Sequence, residues 1–106
     1  MIRRGTTPMI VLLVHDYDLR GSTVYITLKQ RSLLLTKMSE GFGMAYAPEY
    51  GTILVVPFSQ EDTLAFRAKE AEIQVRWIEP DGKAWGTDIE TIEIGRILLE
   101  GVITYE

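Results

Sequence analysis

Hydrophobic and polar residues alternate along this 106-residue chain mainly with a period of two, the pattern of half-buried β-strands. In Ser22–Lys29 every second residue is aliphatic, and in Glu72–Glu79 apolar residues again alternate with polar ones. One side of each strand is therefore expected to face a core. The residues that we expect in that core are Ile26, Leu28, Val55, Ile73, Val75, Trp77 and Ile92.

A tight turn is predicted between Trp77 and Trp85. The intervening residues include Pro80-Asp81-Gly82, in which proline fixes φ and glycine can adopt a positive φ. This pattern predicts a β-hairpin whose second strand runs from Ala84 to Ile94.

Three further strands are predicted from well-punctuated apolar segments. Met9–Val14 is a first strand, and Leu33–Met38 is expected to pair with Ser22–Lys29. Thr52–Phe58 is apolar on both faces and is therefore placed centrally. Ser39–Gly51 mixes glycine with aromatic residues, so it is either a short strand flanked by turns or a loop that covers part of the protein. About seven short strands separated by turns indicate an all-β, antiparallel sandwich.

One short helical turn is expected after the central strand. Ser59 is a suitable N-cap, and Asp62 stands three residues on, as in a capping box. Leu64 and Phe66 would then close the open end of the sandwich.

The composition limits both size and chemistry. A chain of this length forms one domain, residues 1–106, because two would each lack a core. Its net charge of −4 argues against a groove that neutralises nucleic-acid phosphates. The apolar run Met9–Val14 is too short for a signal peptide or a membrane span, so neither is expected.

No catalytic, cofactor or metal site is predicted. The chain has no cysteine and one histidine, His15, which stands beside Asp16 and near Asp18. These residues could suggest a metal site or an acid–base pair, but aspartate is also common in turns for backbone reasons. Gly41-Phe42-Gly43 lacks the lysine and the helix of a phosphate-binding loop. We therefore expect a protein that is not an enzyme.

Aromatic residues suggest a different kind of site. Tyr46, Tyr50, Trp77 and Trp85 could form a platform that stacks on sugars, unless Trp77 belongs to the core and Trp85 flanks the hairpin. Recognition of a host glycan or protein through Ser39–Gly51 is thus one functional hypothesis.

Several segments resemble a family of short proteins encoded by phages and prophages of Gram-positive bacteria. They are Ile2–Pro8, Gln60–Leu64 and Gly95–Ile103, and the likeness runs nearly end to end. More loosely, Tyr17–Val24 and the strand through Leu28-Lys29 are similar to the N-terminal domain of phage baseplate upper proteins. The resemblance implies an immunoglobulin-like sandwich and a role in the virion, in which other virion proteins are the partners.

The baseplate upper proteins continue into long helical and receptor-proximal regions, whereas this sequence ends at Glu106. The resemblance therefore implies the attachment module alone, a tail or baseplate component. It supplies no catalytic residues.

Two segments, Met38–Tyr50 and Ile97–Ile103, carry more apolar surface than a lone sandwich should expose. They predict a homo-oligomer, or docking on a neighbouring virion protein, over at least ~1,000 Å². In the alternative, the tail adds a final strand and the loop covers one end of the core. The predicted interface residues are Phe42, Met44, Tyr46, Tyr50, Ile97, Leu98, Leu99, Val102 and Ile103.

Overall fold

The computed structural model describes residues 1–106 and consists of two β-sheets and one short helix. This confirms the predicted all-β sandwich, although the strands number nine instead of about seven. The strands are β1 (Ile2–Arg3), β2 (Met9–His15), β3 (Thr23–Gln30), β4 (Leu33–Met38), β5 (Gly43–Ala47), β6 (Gly51–Pro57), β7 (Lys69–Ile78), β8 (Ala84–Gly86) and β9 (Glu90–Gly95). The helix α1 is Gln60–Leu64, and Ser39–Gly41 forms a 3₁₀ turn.

The larger sheet has six strands in the order β1-β9-β7-β3-β4, with β8 paired to β7 beside this path. The smaller sheet has three strands in the order β2-β6-β5. All neighbours are antiparallel except β1 and β9, which run parallel. The predicted pairing of Leu33–Met38 with the preceding strand is confirmed as the β3–β4 hairpin.

The core lies between the two sheets and draws on both. Ile26 pairs with Val75 across β3 and β7, so their side chains lie on the same inner face. The smaller sheet contributes Leu54 and Val56 from β6. The buried cluster comprises Ile2, Val14, Leu19, Val24, Ile26, Leu28, Leu54, Val56, Phe58, Phe66, Ala71, Ile73, Val75, Trp77 and Ile94.

The core prediction was wrong at Val55. In β6 the even-numbered residues face inward, so Val55 lies half-buried on the opposite side of the sheet. Because β6 is apolar on both sides, its sequence pattern could not indicate which side faces the core. Ile92 is partly buried and packs against the core cluster.

The strand predicted from Ala84 to Ile94 is interrupted. The chain leaves the sheet after Gly86 and returns at Glu90. At the break, the Thr87 hydroxyl accepts a hydrogen bond from the Val75 amide (3.1 Å), while the Thr87 amide donates to the Val75 carbonyl (2.9 Å). Thr87 thus provides hydrogen-bond partners for both the amide and the carbonyl of Val75 at the point where the second strand is interrupted.

The helix confirms the predicted capping box. The Ser59 hydroxyl accepts from the Asp62 amide, and the Asp62 carboxylate accepts from the Ser59 amide, both at 3.0 Å. Leu64, the last residue of the helix, is half-buried, and Phe66, just beyond it, is buried. Ser39–Gly51 is resolved as the 3₁₀ turn followed by β5.

Candidate interaction surface

The outer side of the three-stranded sheet is uncharged and apolar from Met9 to Leu13 of β2, and His15 follows at the end of that strand. We call it the apolar face, and its residues are Met9, Val11, Leu13, Gly43, Ala45, Ile53, Val55 and Pro57. Backbone register sets these residues in rows across the sheet. One row is Val11, Val55 and Gly43. The next row is Leu13, Ile53 and Ala45.

The apolar face is open to solvent along β2. Met9 is 68% exposed, Val11 64% and Leu13 40%. Scattered exposed apolar residues are normal, but contiguous exposed patches mark surfaces that bind a partner. The face has the second property, because its residues are neighbours in register.

The same sheet also leaves both of its edges unpaired. β2 and β5 each bond only to β6, and neither contains a charged residue or an internal proline. Natural sheets usually protect such edges with lysine, proline or a bulge, since a free edge can pair with another chain. This sheet lacks those protections.

The C-terminal segment Ile97–Glu106 is the second apolar surface, and it forms no strand. The alternative that the tail adds a final strand to the sandwich is therefore wrong. Leu98 is 92% exposed and Leu99 73%, and Val102 and Ile103 are also exposed. Ile97 is half-buried. Four of the five predicted interface residues in the tail are thus free surface in this chain.

Polar contacts hold the tail against the body. The Gln60 side-chain amide donates to the Ile103 carbonyl and accepts from its amide, both at 2.9 Å. Arg4 pairs with Glu100 at 2.8 Å and also donates to the backbone carbonyls of Leu64 (3.0 Å) and Phe66. Arg4 therefore joins the tail, the helix end and the N-terminal segment.

The expectation of free apolar surface in Met38–Tyr50 requires correction. Phe42, just before β5, and Met44, within it, are partly buried and pack against the core, because the chain alternates there and both lie on the inner side. Tyr46 is half-buried with the Arg20 guanidinium 4.6 Å from its ring centre. Tyr50 alone is largely exposed, at 59%. The outward residues of β5 are the small ones, Gly43 and Ala45, which sequence reasoning overlooked.

The four aromatic residues considered for sugar stacking lie in different environments. Trp77 is buried in the core, and Tyr46 is covered by Arg20. Trp85 is half-exposed, and its nearest aromatic contact is a tilted one with Tyr17, 6.1 Å between ring centres. Tyr50 lies in the turn before β6.

One of the two carboxylates near His15, that of Asp18, has a structural partner. Asp18 accepts two hydrogen bonds from the Arg20 guanidinium, at 2.9 and 2.8 Å. This contact lowers the pKa of Asp18 and raises that of Arg20. No group of three or more His, Cys, Asp or Glu side chains is placed to hold a metal ion.

A third ion pair connects β4 to the helix. Lys37, on the inner side of β4, donates to Asp62 at 2.6 Å, and both side chains are about four-fifths buried. Burial alone would raise the pKa of Asp62, but the hydrogen bonds from Lys37 and from the Ser59 amide outweigh it and lower that pKa. The pair links the larger sheet to the helix that follows β6.

No helix in the structure is long and apolar enough to cross a bilayer. Compared with known proteins, the chain matches no family model, no curated protein and no solved structure.

Proposed function

We propose that this chain is a structural assembly module of a phage particle, associated with the tail or baseplate, which binds proteins and catalyses no reaction. The observation that supports binding most directly is the apolar face, whose eight residues include no charge. The phage context comes from the sequence resemblance described above.

The physical basis of such binding is the removal of apolar surface from water. Each Å² buried contributes roughly 25 cal/mol, so covering Met9, Val11 and Leu13 is favourable without any polar contact. Interface centres are depleted in charged residues, as this face is. Its rigid β-sheet backbone also means that little conformational freedom is lost on binding.

We further propose that the sandwich is immunoglobulin-like, as the resemblance implies. In that fold, strands B, E and D share one sheet, and C, F and G share the other, with C′ added in variable-type domains. Assigning β2, β6 and β5 to B, E and D leaves β9, β7, β3 and β4 in the order G-F-C-C′. The two sheet orders support this assignment.

The test is incorporation into particles. Particles of the encoding phage or prophage are purified with the wild-type chain, with Val11→Glu on the apolar face, or with Leu34→Glu. Leu34 is a matched control because it is 62% exposed and points outward from β4 of the other sheet. We expect the wild type and Leu34→Glu in the particles and Val11→Glu absent, although all three melt at similar temperatures.

Two results would contradict the proposal. One is absence of the wild-type chain from particles, and the other is equal incorporation of Val11→Glu. Glycan binding that is lost in Tyr50→Ala, in a chain that particles do not contain, would instead favour the host-recognition hypothesis.

A further inference from the structure

We infer that the apolar face binds a second copy of this chain, forming a two-fold dimer whose axis runs along β6 between the stacked sheets. This inference rests on the proposed function, because it names the first partner of the surface proposed there. In this dimer the β2 row of one copy lies over the β5 row of the other.

The shape of the face determines this orientation. Its side chains are large along β2 (Met9, Val11, Leu13), intermediate along the central strand β6, and minimal along β5 (Gly43, Ala45). The face is thus a wedge, thick at one edge and thin at the other. Two identical wedges stack without a gap only when the thick edge of each meets the thin edge of its partner.

Gly43 is a specific indication that a neighbour approaches closely. Its φ is not positive, and a Cβ there would lie 3.7 Å from the Val55 Cβ, an ordinary contact. The fold of this chain therefore does not require glycine, although glycine weakens a strand interior. Glycine in a strand often marks the close approach of another group. In the proposed dimer, that group is Val11 of the second copy.

The distribution of charge makes the apolar face the surface on which two copies can meet with the least repulsion. Each copy carries a net charge of −4, so two copies repel unless they meet through an uncharged surface. The outer side of the larger sheet carries Lys29, Glu72 and Arg76. Only the smaller sheet offers an uncharged outer side. Without lysine or arginine on it, the face also lacks the groups that attract anionic lipid.

The area of the apolar face indicates how strongly two copies are expected to bind each other. The strands are spaced about 4.8 Å apart and rise about 3.4 Å per residue, so two strands of seven residues and one of five cover roughly 300 Å² in projection. Two such faces bury at least ~600 Å², at the small end of weak and transient interfaces. We therefore expect a dimer that forms at high concentration, as when copies are held together on a particle.

The first test is sedimentation over roughly 10 µM to 1 mM, the range suited to a weak interface. The wild type should shift from monomer towards dimer as its concentration rises. Gly43→Val fills the thin edge, so it should remain monomeric while folding normally. The control is Gly86→Val, a strand glycine of the other sheet whose Cβ has ordinary space, and it should dimerise like the wild type.

The second test uses cross-linking, which is simple because the chain has no cysteine. With a short bis-maleimide, Val55→Cys should link to itself, since Val55 lies at the axis. A mixture of Leu13→Cys and Ala45→Cys, which lie in the next row, should form mixed dimers, whereas Leu13→Cys alone should not. Self-linking of Leu13→Cys without mixed dimers would overturn the orientation.

A chain that stays monomeric throughout the concentration range would overturn the dimer. The proposed function would survive that result if particles still incorporated the wild type and excluded Val11→Glu, because the face would then bind a different virion protein. If the chain dimerises but never enters particles, the dimer stands and the proposed function fails.

Discussion

The two sheets of this sandwich have inner sides of the same kind and outer sides of opposite kinds. On the outer side of the larger sheet, Lys29 faces Glu72 in register, and Thr27 faces Gln74. On the outer side of the smaller sheet, Val11 faces Val55 and Leu13 faces Ile53. The larger sheet thus carries charged and polar pairs on its outer side, beside exposed apolar residues such as Leu34 and Ile78.

This contrast separates the requirements of folding from those of binding. The inner sides must be apolar because they form the common core, whereas folding places no such demand on the outer sides. An apolar outer side lowers the solubility of a protein and favours its aggregation. Such a side is therefore expected where it binds a partner. We therefore assign the difference between the two exteriors to partner binding.

The largest predicted effect separates the two sides of β6. Leu54→Ala removes a fully buried side chain and should lower the free energy of unfolding by roughly 2–5 kcal/mol. The neighbouring change Val55→Ala, on the apolar face, should cost less than about 1.5 kcal/mol because no enclosed cavity forms. Urea unfolding of both variants measures the difference. Equal losses would show that the two sides of β6 are both covered.

A second prediction compares two glycines of the smaller sheet. Gly51 has a φ of +131°, and a Cβ there would overlap the Val14 carbonyl oxygen. Gly51→Ala should therefore destabilise the fold by about 2 kcal/mol or more. Gly43→Ala should be neutral or stabilise it by up to about 1 kcal/mol, because its φ is ordinary and alanine is less flexible when unfolded. Thermal melts of both variants check this, and a strongly destabilised Gly43→Ala would remove the argument for an external neighbour.

The third prediction concerns the ion pair between the larger sheet and the helix. Asp62→Asn keeps a capping oxygen but leaves Lys37 unpaired, so it should lower stability by about 1–2 kcal/mol at neutral pH. Glu61→Gln, at an exposed position of the same helix, is the control and should have little effect.

The pH dependence has a definite sign. The folded-state pKa of Asp62 lies below its ordinary value of 3.8, so the carboxylate stabilises the fold above that value. This contribution is lost as the pH falls through the folded-state pKa. Urea unfolding from about pH 5 to about pH 2 should show a smaller loss for Asp62→Asn than for the wild type. Parallel losses in the two proteins would contradict the assigned role of Asp62.

Much of the fold was predictable because alternation and turn residues are local signals. The inward sides of β3 and β7, the β3–β4 pairing and the Ser59 capping box all followed from residues close together in the sequence. The break at Thr87 did not, because alternation does not indicate that the Thr87 hydroxyl bonds to the Val75 amide of the neighbouring strand. β1 is two residues long, too short for any periodicity.

The sequence predicted that an apolar surface exists but not which residues form it. An excess of apolar residues was evident from the sequence, but its location was not, because Thr52–Phe58 is apolar on both sides and alternation cannot orient it. Large residues in Ser39–Gly51 drew attention to Phe42 and Met44, which face inward. The residues that matter on β5 are small, and their position beside Val55 and Ile53 appears only with the strand register.

The smallest effect on stability, and the sharpest contrast in behaviour, is expected from lysine substitutions on the two exteriors. Val11→Lys and Leu34→Lys replace outward residues of nearly equal exposure, 64% and 62%, so each should change the free energy of unfolding by no more than about 0.5 kcal/mol. Their solubilities should nevertheless diverge. Lysine at position 11 interrupts the apolar face and protects the free edge of β2, whereas lysine at position 34 adds a charge beside Lys29 on an already polar exterior. Light scattering of concentrated protein should therefore fall clearly for Val11→Lys and stay near the wild-type value for Leu34→Lys. Equal improvement in both variants would mean that net charge governs self-association and that the two exteriors do not differ in the way proposed.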